Sequence, residues 1–236
     1  MPFVFKTINL SLPYRLGSVN CYLLEADGWG YVLVDTGGSN RHRELEEELE
    51  RNGCKPGKLW LIVLTHGDFD HTGNAAYIRK KYGSKIAMHH DDSGMVERGN
   101  MFFNRMRVNI FLRTLIKILT YIFFGFGKSE RFKPDFYVDD GYDLSEYGLD
   151  AKIMHIPGHS KGSIGILTGS GDLFCGDLLT NGNKTDQPNI NSIIDDKVVA
   201  NESVEKLEGL KINTVYPGHG KPFSWDKLLH MKVPNY

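Results

Sequence analysis

In the stretch 65-THGDFDHTGN-74, His66, Asp68, Asp70 and His71 crowd into a glycine-containing turn, and nowhere else in the chain are metal-binding or proton-moving side chains so dense. Imidazole nitrogens and carboxylate oxygens are the donors that zinc, manganese and iron accept. In an extended segment His66 and Asp68 project to one side, because side chains two apart share a face. Asp70 and His71 follow as the chain turns into a helix and can serve a neighbouring position. One short cluster can therefore address two cations a few ångströms apart.

Three later segments repeat the design of an apolar run that ends in a glycine-bearing loop with a ligand-type side chain. They are Pro157-Gly158-His159, Gly176-Asp177 and Pro217-Gly218-His219-Gly220. Loops at strand ends are where rigid scaffolds place reactive groups, and glycine beside a ligand lets the backbone crowd the site. The set of seven, His66, Asp68, Asp70, His71, His159, Asp177 and His219, offers only nitrogen and oxygen donors, which suits two divalent cations. A single histidine is more often structural than a ligand, and that reading is applied to His42, His89, His90, His155 and His230. Four strand-end motifs of one design argue against accident for the other four histidines.

The elements that must position these residues are legible as patterns. Runs 3–10, 19–25 and 30–35 alternate and are rich in β-branched residues, with Asp27-Gly28 as a hairpin turn. Residues 41–53 read as a charged helix with Leu45 and Leu49 inward and Gly53 as its stop. Strand 59–65 feeds the opening motif; a helix over 74–83 and a strand over 84–90 follow. Strands are expected at 135–140, 151–158, 163–169, 171–177 and 212–216, with helices near 195–208 and at the C-terminus. One layered α/β domain over residues 1–236 is expected, with a helical insertion at about 93–133.

Composition sets outer bounds. The 236 residues are 41% hydrophobic and 24% charged with a formal net charge of −1, an ordinary globular balance that points to no nucleic-acid partner. Cys21, Cys54 and Cys175 are odd in number and widely spaced, as buried free thiols of a reducing compartment would be. The N-terminal MPFVFKTINLSLPY lacks the pattern of an export signal. Segment 110–126 is apolar but short for a span and holds Arg113 and Lys117. No transmembrane segment is expected, and the expected compartment is the cytoplasm.

The ordered motifs resemble the metallo-β-lactamase superfamily, whose fingerprint is His-x-His-x-Asp-His followed by Gly-His, Gly-Asp and Gly-His. Here these stand as His66 to His71, Gly158-His159, Gly176-Asp177 and Gly218-His219, and Val34-Asp35-Thr36-Gly37 is similar to the family's strand-end Asp-x-Gly element. The resemblance runs from about residue 17 to 222. It implies an αββα sandwich of two mixed β-sheets flanked by helices, with a dinuclear site at the edge between the sheets. By that analogy one metal takes His66, Asp68 and His159, the other takes Asp70, His71 and His219, and Asp177 bridges them. Asp70 would orient the nucleophile, and Asp35 would steady the ligand loop.

Asp68 departs from the family pattern, which has histidine there. Two divalent cations against two carboxylates and a hydroxide leave one positive charge; a third carboxylate cancels it. A less Lewis-acidic centre follows, with zinc retained and iron or manganese gaining ground. A carboxylate at this position is also similar to the flavodiiron branch, which acts in redox chemistry with a flavin domain that this chain has no room for. Hydrolysis of an ester, thioester or lactone of a small, hydrophobic molecule is the expected activity; phosphodiester hydrolysis and diiron redox chemistry are the alternatives. Lys161 is a candidate to bind a substrate anion or to offset the extra carboxylate, and the polar loop 180–191 is a candidate entrance. Within the insertion, residues 94–133 carry eight Lys or Arg against two Glu. Arg105, Asn109, Arg113, Lys117 and Thr120 form a polar stripe at helical spacing. A lid over the metal cleft is the leading reading of this segment; a homodimer contact through 101–126 and a membrane-surface contact are the others.

Overall fold

The computed structural model describes residues 4–13, 17–28, 30–105, 130–182 and 187–232. Two mixed sheets face each other. The first has strand order β1 (Phe5–Ser11), β2 (Ser18–Ala26), β3 (Gly30–Val34), β4 (Leu59–Val63), β5 (Lys85–Met88) and β6 (Phe136–Tyr137). Its first three strands are antiparallel neighbours, and β3 to β6 run parallel. The second contains β7 (Ala151–His155), β8 (Ile164–Thr168), β9 (Asp172–Gly176), β12 (Thr214–Pro217) and β13 (Phe223–Ser224), with β9 and β12 its one parallel pair. A separate hairpin pairs β10 (Leu179–Asn181) with β11 (Pro188–Ile190).

The period-two alternation of strand side chains sorts the core into layers. On β2, Val19, Cys21 and Leu23 point to one face and Tyr22 and Leu24 to the other. The first face packs against α1 (His42–Arg51) and α3 (Ala75–Tyr82) through Leu45, Leu49, Ile78 and Tyr82. The second face meets Ile153, Ile164, Ile166 and Phe174 of the opposite sheet. The outer face of that sheet, with Leu173, Cys175 and Val215, is covered by Ala200, Val204 and Leu207 of α5 (Lys197–Glu208) and by Leu228 of α6 (Trp225–Lys232). Three apolar interfaces thus separate four layers, helix, sheet, sheet, helix, as the αββα expectation requires. Each fully buried leucine or isoleucine contributes on the order of 2 kcal/mol. Cys21, Cys54 and Cys175 are all buried free thiols.

Two observed strands are shorter than the runs that announced them, since 59–65 narrows to Leu59–Val63 and 135–140 to Phe136–Tyr137, whereas 19–25 extends to Ser18–Ala26. The residues beyond β4 have left the ladder to form a loop of the site. The stretch 180–191, read as a polar loop, contains the hairpin strands β10 and β11, whose pairing carries no apolar alternation to betray it. Between the parallel neighbours β5 and β6 lies the expected insertion. Its described helical part is α4 (His90–Arg98), ended by Gly99 in the left-handed region. Residues 101–104 are turns, and 130–134 return without a helix. The lid, dimer and membrane readings rest mainly on 106–129, as does the stripe beyond Arg105, and these lie outside the described residues. Among the described residues no helix is long and apolar enough to cross a membrane.

Candidate metal centre

β4 of the first sheet and β7, β9 and β12 of the second release their loops toward one place. His66 and Asp68 follow β4, and Asp70 and His71 lie on the single turn α2 (Phe69–Thr72). His159 follows β7, Asp177 follows β9, and His219 follows β12. His66, His159 and Asp177 form one group whose donor atoms lie within 4.8 Å of each other; Asp70, His71 and His219 form a second. Asp177 stands between them, with Oδ1 3.4 Å from His71 Nε2, Oδ2 3.5 Å from His219 Nε2 and Oδ2 4.0 Å from His159 Nε2. Asp68 Oδ2 is 3.1 Å from His159 Nε2 and 3.7 Å from His66 Nε2. All seven expected residues are brought together.

Every histidine of the cluster is oriented in the same sense. Nδ1 of His66 faces Thr65 Oγ1 at 2.9 Å, and Nδ1 of His71 faces Asp35 Oδ2 at 2.8 Å. His159 turns Nδ1 to the Ile193 carbonyl at 2.6 Å, and His219 turns it to the Ser18 carbonyl at 2.7 Å. Four Nδ1 atoms thus face oxygen acceptors, and four Nε2 atoms converge on a shared volume. This is the arrangement by which a second shell fixes metal-binding imidazoles. His66 Nε2 and Asp177 Oδ1 are buried there without a hydrogen-bond partner. Orphaned polar atoms cost free energy unless something completes them, so the donor set fits divalent cations.

Asp35 carries much of this order. Its backbone sits at φ +59°, a left-handed conformation that aspartate tolerates better than most residues. From there Oδ1 accepts the Thr65 amide at 2.8 Å, and Oδ2 accepts the Thr65 hydroxyl at 2.7 Å as well as His71. Glycine is required by close approach at Gly218, where a Cβ would lie 2.4 Å from Asp177 Oδ1 and 2.7 Å from His71 Cε1. At Gly158 a Cβ would strike Ala200 of α5 at 2.5 Å. The His66, His71 and His159 side chains are at most 2% exposed, whereas Asp70 is 15% and His219 26% exposed. Solvent therefore reaches the centre from the Asp70–His219 side.

Charge follows the same geometry in the metal-free protein. Burial disfavours charge on His71, but Asp177, Asp35 and Asp70 outweigh it and push its pKa up to about 10. His219, likewise buried, is raised to about 9 by Asp177 and Asp70. His66 goes the other way, pushed well down by burial and by His71 and His159. Burial opposes ionisation of Asp68, yet the Arg105 guanidinium and the His159 hydrogen bond hold its carboxyl well below the usual range.

The profile of the metallo-beta-lactamase superfamily matches residues 14–219, most of the chain. The chain belongs to the metallo-beta-lactamase superfamily. Among curated proteins it is 28% identical over 182 residues to the hydroxyacylglutathione hydrolase GloC of Haemophilus influenzae, covering 75% of each chain. It is 25% identical over 221 residues to the human acyl-coenzyme A thioesterase MBLAC2, covering 87% of this chain and 74% of that one. Among solved structures, the BLEG-1 B3 metallo-beta-lactamase superposes with a TM-score of 0.70 at 22% identity, over 96% of this chain and 97% of that chain. The protein is a metallo-hydrolase of this superfamily.

Two residues that a superfamily fingerprint does not contain complete the site. Asp92 of α4 is fully buried; Oδ2 accepts Gly67 N at 3.0 Å and Ser160 Oγ at 2.6 Å, and Oδ1 accepts Gly162 N at 2.9 Å. One carboxylate thus ties the His66–Asp68 loop to the loop after His159. Arg105 donates from Nη2 to Asp68 Oδ1 at 2.7 Å. Lys161, expected beside the extra carboxylate, is exposed and directs Nζ to Asn104 Oδ1 at 3.3 Å; the cation that meets Asp68 is Arg105. Thr180 of the hairpin donates to the His219 carbonyl at 2.9 Å, which links that element to the site. His89 and His155, read as structural, stack 4.2 Å apart at 7° beside Asp139. With Asp139 they form a further group whose donor atoms lie within 4.8 Å of one another, and His155 Nε2 is engaged by the Lys161 carbonyl at 2.9 Å.

Proposed function

We propose that the cluster holds two divalent cations, zinc foremost, and that the protein hydrolyses a thioester, or a related carboxylic ester or lactone, of a small hydrophobic molecule. The observation that carries the proposal is the convergence of four Nε2 atoms whose Nδ1 atoms are all occupied, with His66 Nε2 and Asp177 Oδ1 left orphaned at the same spot. His66, Asp68 and His159 would hold one cation, Asp70, His71 and His219 the other, and Asp177 would touch both. Bound there, such cations supply Lewis acidity toward a carbonyl and make a nucleophile of water near neutral pH.

The chain's own groups do the rest. Asp35 keeps His71 in one tautomer and one orientation, which an imidazole ligand requires. Asp70, at the solvent-reached edge, would orient the attacking water and accept or return a proton. The thioester preference draws on the relatives named for hydroxyacylglutathione and acyl-coenzyme A hydrolysis, both of which carry the acyl group on sulfur. Metal analysis of the protein as isolated, followed by assay on thioester, lactone, carboxylic ester and phosphodiester substrates, tests the reading. The expected outcome is about two zinc ions per chain and turnover of an acyl substrate that Asp70→Asn removes. Two irons with a visible charge-transfer band and no acyl hydrolysis would replace it with redox chemistry, and phosphodiester turnover alone would change the substrate class.

A further inference from the structure

Arg105 lies nearly out of water, 6% exposed, at the point where the described chain enters the insertion. A buried guanidinium is tolerated only where carboxylates surround it. Its Nη2 sits 2.7 Å from Asp68 Oδ1 and 3.4 Å from His159 Nε2, and its Nε is 3.6 Å from Asp195 Oδ2. Asp68 is thereby divided between two tasks: Oδ1 meets the guanidinium, while Oδ2 faces His66 Nε2 and His159 Nε2. Lys161 does not share this role, since it turns to Asn104. Three carboxylates and a hydroxide would cancel two divalent cations, and one guanidinium at this place returns a single positive charge to the centre.

We infer that Arg105 is the positioning and charge-compensating partner of Asp68, so that the Asp68–Arg105 pair takes the place of one neutral ligand. The inference rests on the proposal that the cluster binds divalent cations. It makes the two residues a unit: either one alone leaves the centre with the wrong charge.

The test is zinc affinity of the full-length protein, measured by competition with a chromophoric chelator, alongside thermal unfolding of the metal-free forms. Removing a unit charge beside a cation is worth on the order of tenfold in affinity or more at a partly screened site. Arg105→Gln is therefore expected to bind zinc about tenfold more tightly, and Arg105→Lys to stay near wild type. Asp68→His, which leaves the guanidinium beside neutral ligands, is expected to bind about tenfold or more weakly, and the double variant Asp68→His with Arg105→Gln to return most of that loss. A residue needed only for shape would lower affinity when changed to glutamine, in either background. Unchanged or weaker zinc binding by a folded Arg105→Gln overturns the inference. Should that variant fail to fold, Asp68→His binding as tightly as wild type overturns it instead. Wild-type protein that binds no divalent metal overturns the cation proposal and this inference together, whereas failure confined to the variants leaves that proposal standing.

Discussion

On one side of the candidate centre, His71 is held by Asp35 and His219 by the Ser18 carbonyl, groups that lie at strand ends of the first sheet. On the other side, Asp68 is held by Arg105, and His159 by the Ile193 carbonyl, both from loops outside the sheets. The sheet-held half is also where solvent arrives, through Asp70 and His219. The loop-held half is nearly dry, and a guanidinium from the insertion closes it. The contrast teaches that strand-end groups of the first sheet orient one half of the cluster, while a guanidinium from the insertion adjusts the charge of the other.

The comparison breaks most readily at Asp35. Replacing it with alanine strands the Thr65 amide, the Thr65 hydroxyl and His71 Nδ1 in a buried place. A stability loss of about 3 kcal/mol or more is expected in chemical denaturation, together with a 10- to 100-fold drop, in order of magnitude, in metal affinity. Next comes Asp92→Asn, which strikes the loop-held half. An amide can accept fewer of the three hydrogen bonds and carries no charge, so a loss of about 2 kcal/mol is expected. Metal content should fall first at the position served by His159, read by titration of the two cations.

A pH titration sharpens the comparison further. In the metal-free protein His71 and His219 have pKa values raised to about 10 and about 9, above the ordinary 6.5. Their charged forms stabilise that protein fully below about pH 6.5, and the contribution is lost as pH rises through about 9 and then about 10. Cations need the neutral imidazoles, so affinity at the sheet-held position should rise across the same window and binding at pH 7 should release protons. Calorimetry in buffers of differing ionisation enthalpy reads that release directly. A metal-free melting temperature that does not fall between pH 7 and 10 would contradict it. The smallest effect belongs to Lys161→Ala, whose side chain is exposed and reaches Asn104 Oδ1 at 3.3 Å. Stability within about 0.5 kcal/mol of wild type and little change in activity are expected.

The residues of the cluster were legible because histidine and aspartate next to glycine at strand ends is a pattern of residue types. The strands behind them were legible because burial on both faces leaves unbroken apolar runs such as 59-LWLIV-63. Asp92 was not, since it stands beside Asp91 in the first turn of α4, where acidic residues are commonplace. Arg105 was read as the first member of a polar stripe, and nothing in spacing pairs it with a residue 37 positions earlier. The β10–β11 hairpin hid in a polar stretch. Two of the four histidine anchors are backbone carbonyls, which have no residue type to read.

Those two carbonyls have a consequence for how the molecule tolerates change. Every amino acid carries a carbonyl, so no substitution at Ser18 or Ile193 can delete the acceptor that holds His219 or His159; only a shift of the loop can. His66 and His71 depend instead on a hydroxyl and a carboxylate that a single nucleotide change can erase. Random mutation therefore meets an uneven target: each presumptive cation position combines one histidine whose tautomer is insured by the main chain with one whose tautomer is exposed to drift at Thr65 or Asp35.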